Sequence, residues 1–85
     1  DEAEPLYREE LEASRRTLGD EHPNTLNSIN NLGVLFLGQG KYDEAELLLR
    51  EALEVRRRTL GDEHPDTLVS ISYLGVLLEN QGKYD

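Results

Sequence analysis

His22 and His64 are the chain's two histidines, and each stands in the same tetrapeptide, Asp-Glu-His-Pro, at 20–23 and 62–65. An imidazole beside two carboxylates is a donor set that could hold a divalent cation. The two sites are 42 residues apart, however, and a recurring turn repeats its residues for structural reasons as readily as for chemical ones. The proline also pushes the residue before it out of helical geometry, so each histidine is the expected N-cap of a helix opened by Pro23 or Pro65. The reading is therefore a structural turn, with no metal and no cofactor. No nucleophile, base and orienting group fall together, and the glycines are isolated rather than gathered into a phosphate loop, so no enzyme is expected. Arg56, Arg57 and Arg58 could form a basic patch. Glu51 and Glu54 lie about one turn earlier, and pairing with them would make the run a solvated helix end. The remaining groups suited to recognition are the amides of Asn27, Asn30 and Asn31, which can donate to and accept from a peptide backbone.

These residues are placed by a repeat. Residues 17–23, Thr-Leu-Gly-Asp-Glu-His-Pro, return at 59–65. Laid 42 residues apart, 1–42 and 43–84 agree at 30 of 42 positions, and Asp85 matches Asp1 and Asp43 as the start of a third unit. A period in this range marks a solenoid, whose units bury apolar faces on each other and whose work is done on a surface.

Composition narrows the partners. The 85 residues allow one small domain, here 1–85, with 18 acidic and 9 basic residues and a net charge of −9. A phosphate backbone and an anionic membrane surface would both be repelled, so neither nucleic acid nor membrane is an expected partner. There is no cysteine, and no apolar run long enough to span a bilayer. No segment resembles a signal peptide, and the expected compartment is the cytoplasm.

Apolar spacing predicts four helices. Residues 1–18 carry Ala3, Leu6, Tyr7 and Leu11, and 43–60 carry Ala45, Leu48, Leu49, Ala52 and Leu53. Residues 23–39 and 65–81 carry Leu26, Ile29, Leu32, Val34, Leu35 and Phe36, and then Leu68, Ile71, Leu74, Val76, Leu77 and Leu78. Gly19, Gly40, Gly61 and Gly82 stand where a left-handed residue would close each helix. The 43–61 segment holds nine charged residues, whereas 23–39 holds none. A helix poor in charge is covered or lines a groove, and a charged one shows a face to water. We label the charged helices B and the others A. The predicted order is B-A-B-A, with A inside.

Leu32-Gly33 with Phe36, Leu74-Gly75 with Leu78, and Ala45, Leu49 and Ala52 on the following helix resemble the tetratricopeptide repeat. The usual unit is about 34 residues. The 42-residue form, with Asn-Leu at 31–32, Gln39 to Glu46 and Leu60 to Pro65, is similar to the repeats of kinesin light chains and of related bacterial and algal proteins. The resemblance implies an all-α solenoid of antiparallel helix pairs wound into a right-handed superhelix. It also implies a scaffold that binds a protein partner, as a peptide or helix, in the concave groove of the A helices. By helical spacing that groove would use Asn27, Asn30, Asn31, Val34 and Leu37, then Val69, Ser72, Tyr73, Val76 and Glu79. It carries no Lys or Arg, so an acidic C-terminal tail would find no counter-charge there.

The series opens with a B helix and closes with an A helix. Leu6, Tyr7 and Leu11 on one side, and Ile71, Leu74, Leu77 and Leu78 on the other, are expected to be partly uncovered. Such faces meet inside a continuous array, so the alternatives are a longer natural array or copies that stack head to tail. Glu10 stands where the second unit has Ala52, a site that a full stack would bury.

Overall fold

The computed structural model of the protein describes residues 2–82. Asp1, Asp85 and the start of a third unit lie outside the described residues. Four α-helices follow in order: α1 Ala3–Leu18, α2 Pro23–Gly38, α3 Tyr42–Leu60 and α4 Pro65–Gln81. The B-A-B-A order is as the sequence predicts, with small shifts at the ends. α2 closes at Gly38, one residue short of Gln39, and α3 opens at Tyr42, one residue before Asp43.

The histidines are caps. His22 Nδ1 accepts the backbone N–H of Asn24 at 3.1 Å, and His64 Nδ1 accepts that of Asp66 at 3.1 Å. Both residues are extended, with ψ near 140°, as the following proline requires. The glycine stops are of two kinds. Gly82 is left-handed as expected, at φ 72° and ψ 24°. Gly19 and Gly61 differ: their φ of 91° and 93° comes with ψ of 164° and 162°. That region belongs almost entirely to glycine, so these two turns are stricter than an ordinary left-handed cap.

α2 packs against α1, α3 and α4, and α3 also packs against α4. The Cα envelope is 40 × 34 × 16 Å, a slab thin enough for two layers of helices. The core is one cluster that joins Leu26, Ile29, Leu32 and Phe36 of α2 to Ala45, Leu49, Ala52 and Leu53 of α3, with Leu11, Leu74 and Leu77. At Gly33 α3 presses close on α2: a Cβ there would lie 2.9 Å from Leu49 Cδ2. The charge contrast between helices follows the burial. α2 is covered on three sides, whereas α1 buries only Leu11.

Ion pairs tie successive units. Arg15 on α1 donates to both carboxylate oxygens of Glu51 on α3, at 2.9 and 3.0 Å, and to Asp20 at 2.9 Å. These two acids hold the Arg15 guanidinium well above its ordinary pKa, the Glu51 hydrogen bonds most strongly. Arg58 pairs with Glu21 in the α1–α2 turn. Glu4 accepts from Lys41 at 3.1 Å and Arg8 at 3.0 Å, and both cations also lie over the Phe36 ring.

The arginine run is not one solvated end. Glu51 is taken by Arg15 across the helix layer, and Arg57 turns instead to Asp62 at 3.3 Å. Arg56 is only 5% exposed. α4 packs over this part of α3 and closes water out, which spacing along α3 alone could not reveal.

Candidate functional site

The A helices bring part of the predicted groove together. Asn30, Asn31 and Val34 of α2 line one concavity of about 510 Å³ with Tyr73 of α4. Tyr7, Leu35, Gly38 and Gln39 complete its wall. Tyr7 was expected on an end face. Its ring enters the wall because α1 lies along α2, a placement that the spacing within α1 does not encode. Leu37 is half-buried, and Val69, Ser72, Val76 and Glu79 are exposed on α4, but none of the five lines this concavity.

Asn30 is the unusual member. It is 8% exposed, and its Oδ1 is buried without a hydrogen-bond donor. A buried amide oxygen without a donor costs on the order of 1–3 kcal/mol, a cost that rotation of the side chain toward an N–H donor would relieve. Asn31 stands exposed beside it, one residue along the same helix. No charged residue lines the concavity.

Asn27 is differently employed. Its Oδ1 accepts Arg56 Nη2 at 3.0 Å, while Arg56 Nη1 donates to Ser70 Oγ at 2.9 Å and to the Asp66 carbonyl at 3.2 Å. Arg56 has no carboxylate in hydrogen-bond contact, and burial pushes its pKa down against the counter-pull of Asp66. Asn27 is thereby fixed at the α2–α3–α4 junction, apart from Asn30.

The end faces also depart from expectation. Leu11, Leu74 and Leu77 are core residues, at 6%, 7% and 0% exposure, because α1 turns Leu11 onto α2 and α4 buries its two leucines against its neighbours. Leu6 at 65%, Tyr7 at 37% and Ile71 at 37% are uncovered, and Leu78 is half-buried. Leu68, Gly75 and Val76 are exposed on α4 as well. Glu10 is exposed on α1.

Among the described residues no His, Cys, Asp and Glu side chains gather into a metal-binding group, and no helix is long and apolar enough to cross a membrane. No match to the chain is found among curated proteins. The family model of the tetratricopeptide repeat matches residues 1–58 and again 39–85, two overlapping stretches that together take in every helix described above. Paired antiparallel helices at a 42-residue period, a glycine where Leu49 leaves no room for a Cβ and this double match lead to one conclusion: the chain belongs to the tetratricopeptide-repeat family, whose members mediate protein–protein interaction and scaffolding.

Proposed function

We propose that the concavity between α2 and α4 binds an extended segment of a protein partner, with the Asn30 amide turning toward it to accept a backbone N–H. The buried, donor-free Oδ1 of Asn30 carries this reading. Tyr7 and Tyr73 would flank the segment and supply apolar area. A wall without Lys or Arg on a chain of net charge −9 selects a neutral or basic segment over an acidic one. The two units also differ at Asn27/Val69, Asn30/Ser72, Asn31/Tyr73 and Leu37/Glu79, while the ion-pairing positions Glu9/Glu51, Arg15/Arg57, Arg16/Arg58 and Glu21/Glu63 are identical. Such a division suits a surface whose chemistry varies on a fixed frame.

The test is selection of extended peptides from a random library on the 85-residue chain, followed by NMR mapping of the bound state. Shifts at Asn30, Val34 and Tyr73, with binding about tenfold weaker in N30A, are expected. Shifts confined to the outer face of α3, unaffected by N30A, would overturn the proposal.

A further inference from the structure

We infer that a recess at the joint between the two units is a second binding site, one that takes a free α-amino acid with an aliphatic side chain. The recess shares no lining residue with the concavity between α2 and α4, and its volume is about 190 Å³. At roughly 30 Å³ of liquid per water, it has room for about six waters or one molecule of amino-acid size. Its walls come from the α1–α2 turn, α2, α3 and α4, all within residues 21–66. Part of the wall is deep and part is open. Arg56 is 5% exposed and Leu26 3%, whereas Glu21, Pro23, Leu60 and Asp66 are exposed.

Arg56 supplies the anion-binding end. Ser70, the Asp66 carbonyl and Asn27 occupy three of its five N–H groups, two on Nη1 and one on Nη2. The other two, on Nε and Nη2, lie along one edge of the guanidinium, where a carboxylate binds side-on through two hydrogen bonds. All three present acceptors are neutral oxygens, so dipoles solvate this buried charge and no contacting carboxylate balances it. A carboxylate ligand would supply that counter-charge where water screens it least.

The open part of the wall has the opposite sign. Arg58 already pairs with Glu21. Asp66 has no ion pair among the described residues, and its carboxylate acts on Arg56 through space without contact. A lone carboxylate would be drawn to Arg56 and repelled by Asp66. A zwitterion satisfies both, with its carboxylate at Arg56 and its ammonium at Asp66. Pro23, Leu26 and Leu60 leave an apolar wall for an aliphatic side chain.

The residues that carry this chemistry are also places where the units differ. Arg56, Asp66 and Asn27 stand where the other unit has Ser14, Asn24 and Val69. Glu21, Pro23, Leu26 and Leu60 are repeated as Glu63, Pro65, Leu68 and Leu18. The frame of the recess is therefore the repeat's, and its unbalanced charges belong to this joint alone.

The test is NMR titration of the 85-residue chain with L-leucine, and with 4-methylpentanoate and 3-methylbutylamine, which lack its ammonium and its carboxylate respectively. Saturable shifts are expected at Asn27, the Arg56 side chain and Asp66, with Kd about 1 mM for so small a ligand and no shift at Asn30 or Tyr73. Each analogue should bind at least about tenfold more weakly, because one charged contact is lost. D66N installs the residue of the first unit and should weaken leucine about tenfold while leaving 4-methylpentanoate no weaker. R56S likewise installs the first unit's residue and should abolish binding. Circular dichroism checks that R56S is folded, and D66N decides the matter if it is not. Leucine that gives no saturable shift by about 10 mM, or that shifts Asn30 and Tyr73 instead, would overturn the inference. So would 4-methylpentanoate binding as tightly as leucine, or D66N binding leucine as tightly as the wild type.

Discussion

The Arg56 guanidinium crosses from α3 to α2 and meets Asn27 Oδ1 at 3.0 Å, while its other amino group holds Ser70 and the Asp66 carbonyl of α4. One side chain thus fastens three helices at the point where the first unit joins the second. Without it, three acceptors at that junction would lose their donor. Hydrogen bonds to charged groups contribute about 1.5–3 kcal/mol each in favourable cases, but desolvation of the guanidinium offsets part of the sum. Arg56→Ala is expected to lower stability by about 2–3 kcal/mol in urea unfolding. A double-mutant cycle with Asn27→Ala should show positive coupling, and additive losses would mean that the two side chains do not act together.

Gly33 and Gly75 sit in identical Leu-Gly-Val-Leu contexts, yet alanine should act on them with opposite sign. At Gly33 the new Cβ would press on Leu49, and overpacking of this kind costs about 1–3 kcal/mol. At Gly75 the added methyl meets open space. There the helix gains up to about 1 kcal/mol from the better propensity of alanine. Thermal unfolding of G33A and G75A side by side measures both, and destabilisation by G75A would contradict an open notch.

His64→Ala removes the acceptor that caps α4 and should cost about 1 kcal/mol. His64→Asn keeps a short acceptor at the same position and should restore most of the loss. Amide hydrogen exchange at Asp66 reports the event locally, with faster exchange in the alanine variant only.

Glu4 gives a pH signature. The Lys41 ammonium first, then Arg8, holds its carboxyl below the ordinary range. A carboxylate whose folded pKa is depressed contributes its stabilisation above the unfolded pKa, and loses it as pH falls through the folded value. Carbon-detected NMR titration should therefore find Glu4 protonating later on acidification than an unpaired glutamate. In Lys41→Met its pKa should move up toward the ordinary value, and no movement would break the assigned cause.

Much of this fold is decided within a few residues. Apolar spacing, Pro23 and Pro65 at the first turns, histidine caps and glycine stops act over four residues or fewer, so the sequence alone determined four helices, their order and their 42-residue period. The lining of the concavity between α2 and α4 was legible in part for the same reason: Asn30, Asn31 and Val34 share a face of α2 by helical spacing. What lies across from each face is a different question, because it depends on residues tens of positions away. Only tertiary packing buried Arg56, drew Glu51 to Arg15 instead of its own helix, brought Tyr7 to the wall of the concavity and left Asn30 Oδ1 without a donor. It also sorted the leucines of α4, placing Leu74 and Leu77 in the core and Leu68 outside it. An apolar stripe states that a helix will be covered, but not which neighbour covers which side. Gly33 and Gly75 show the difference: one sequence context, filled by Leu49 at the first and open at the second.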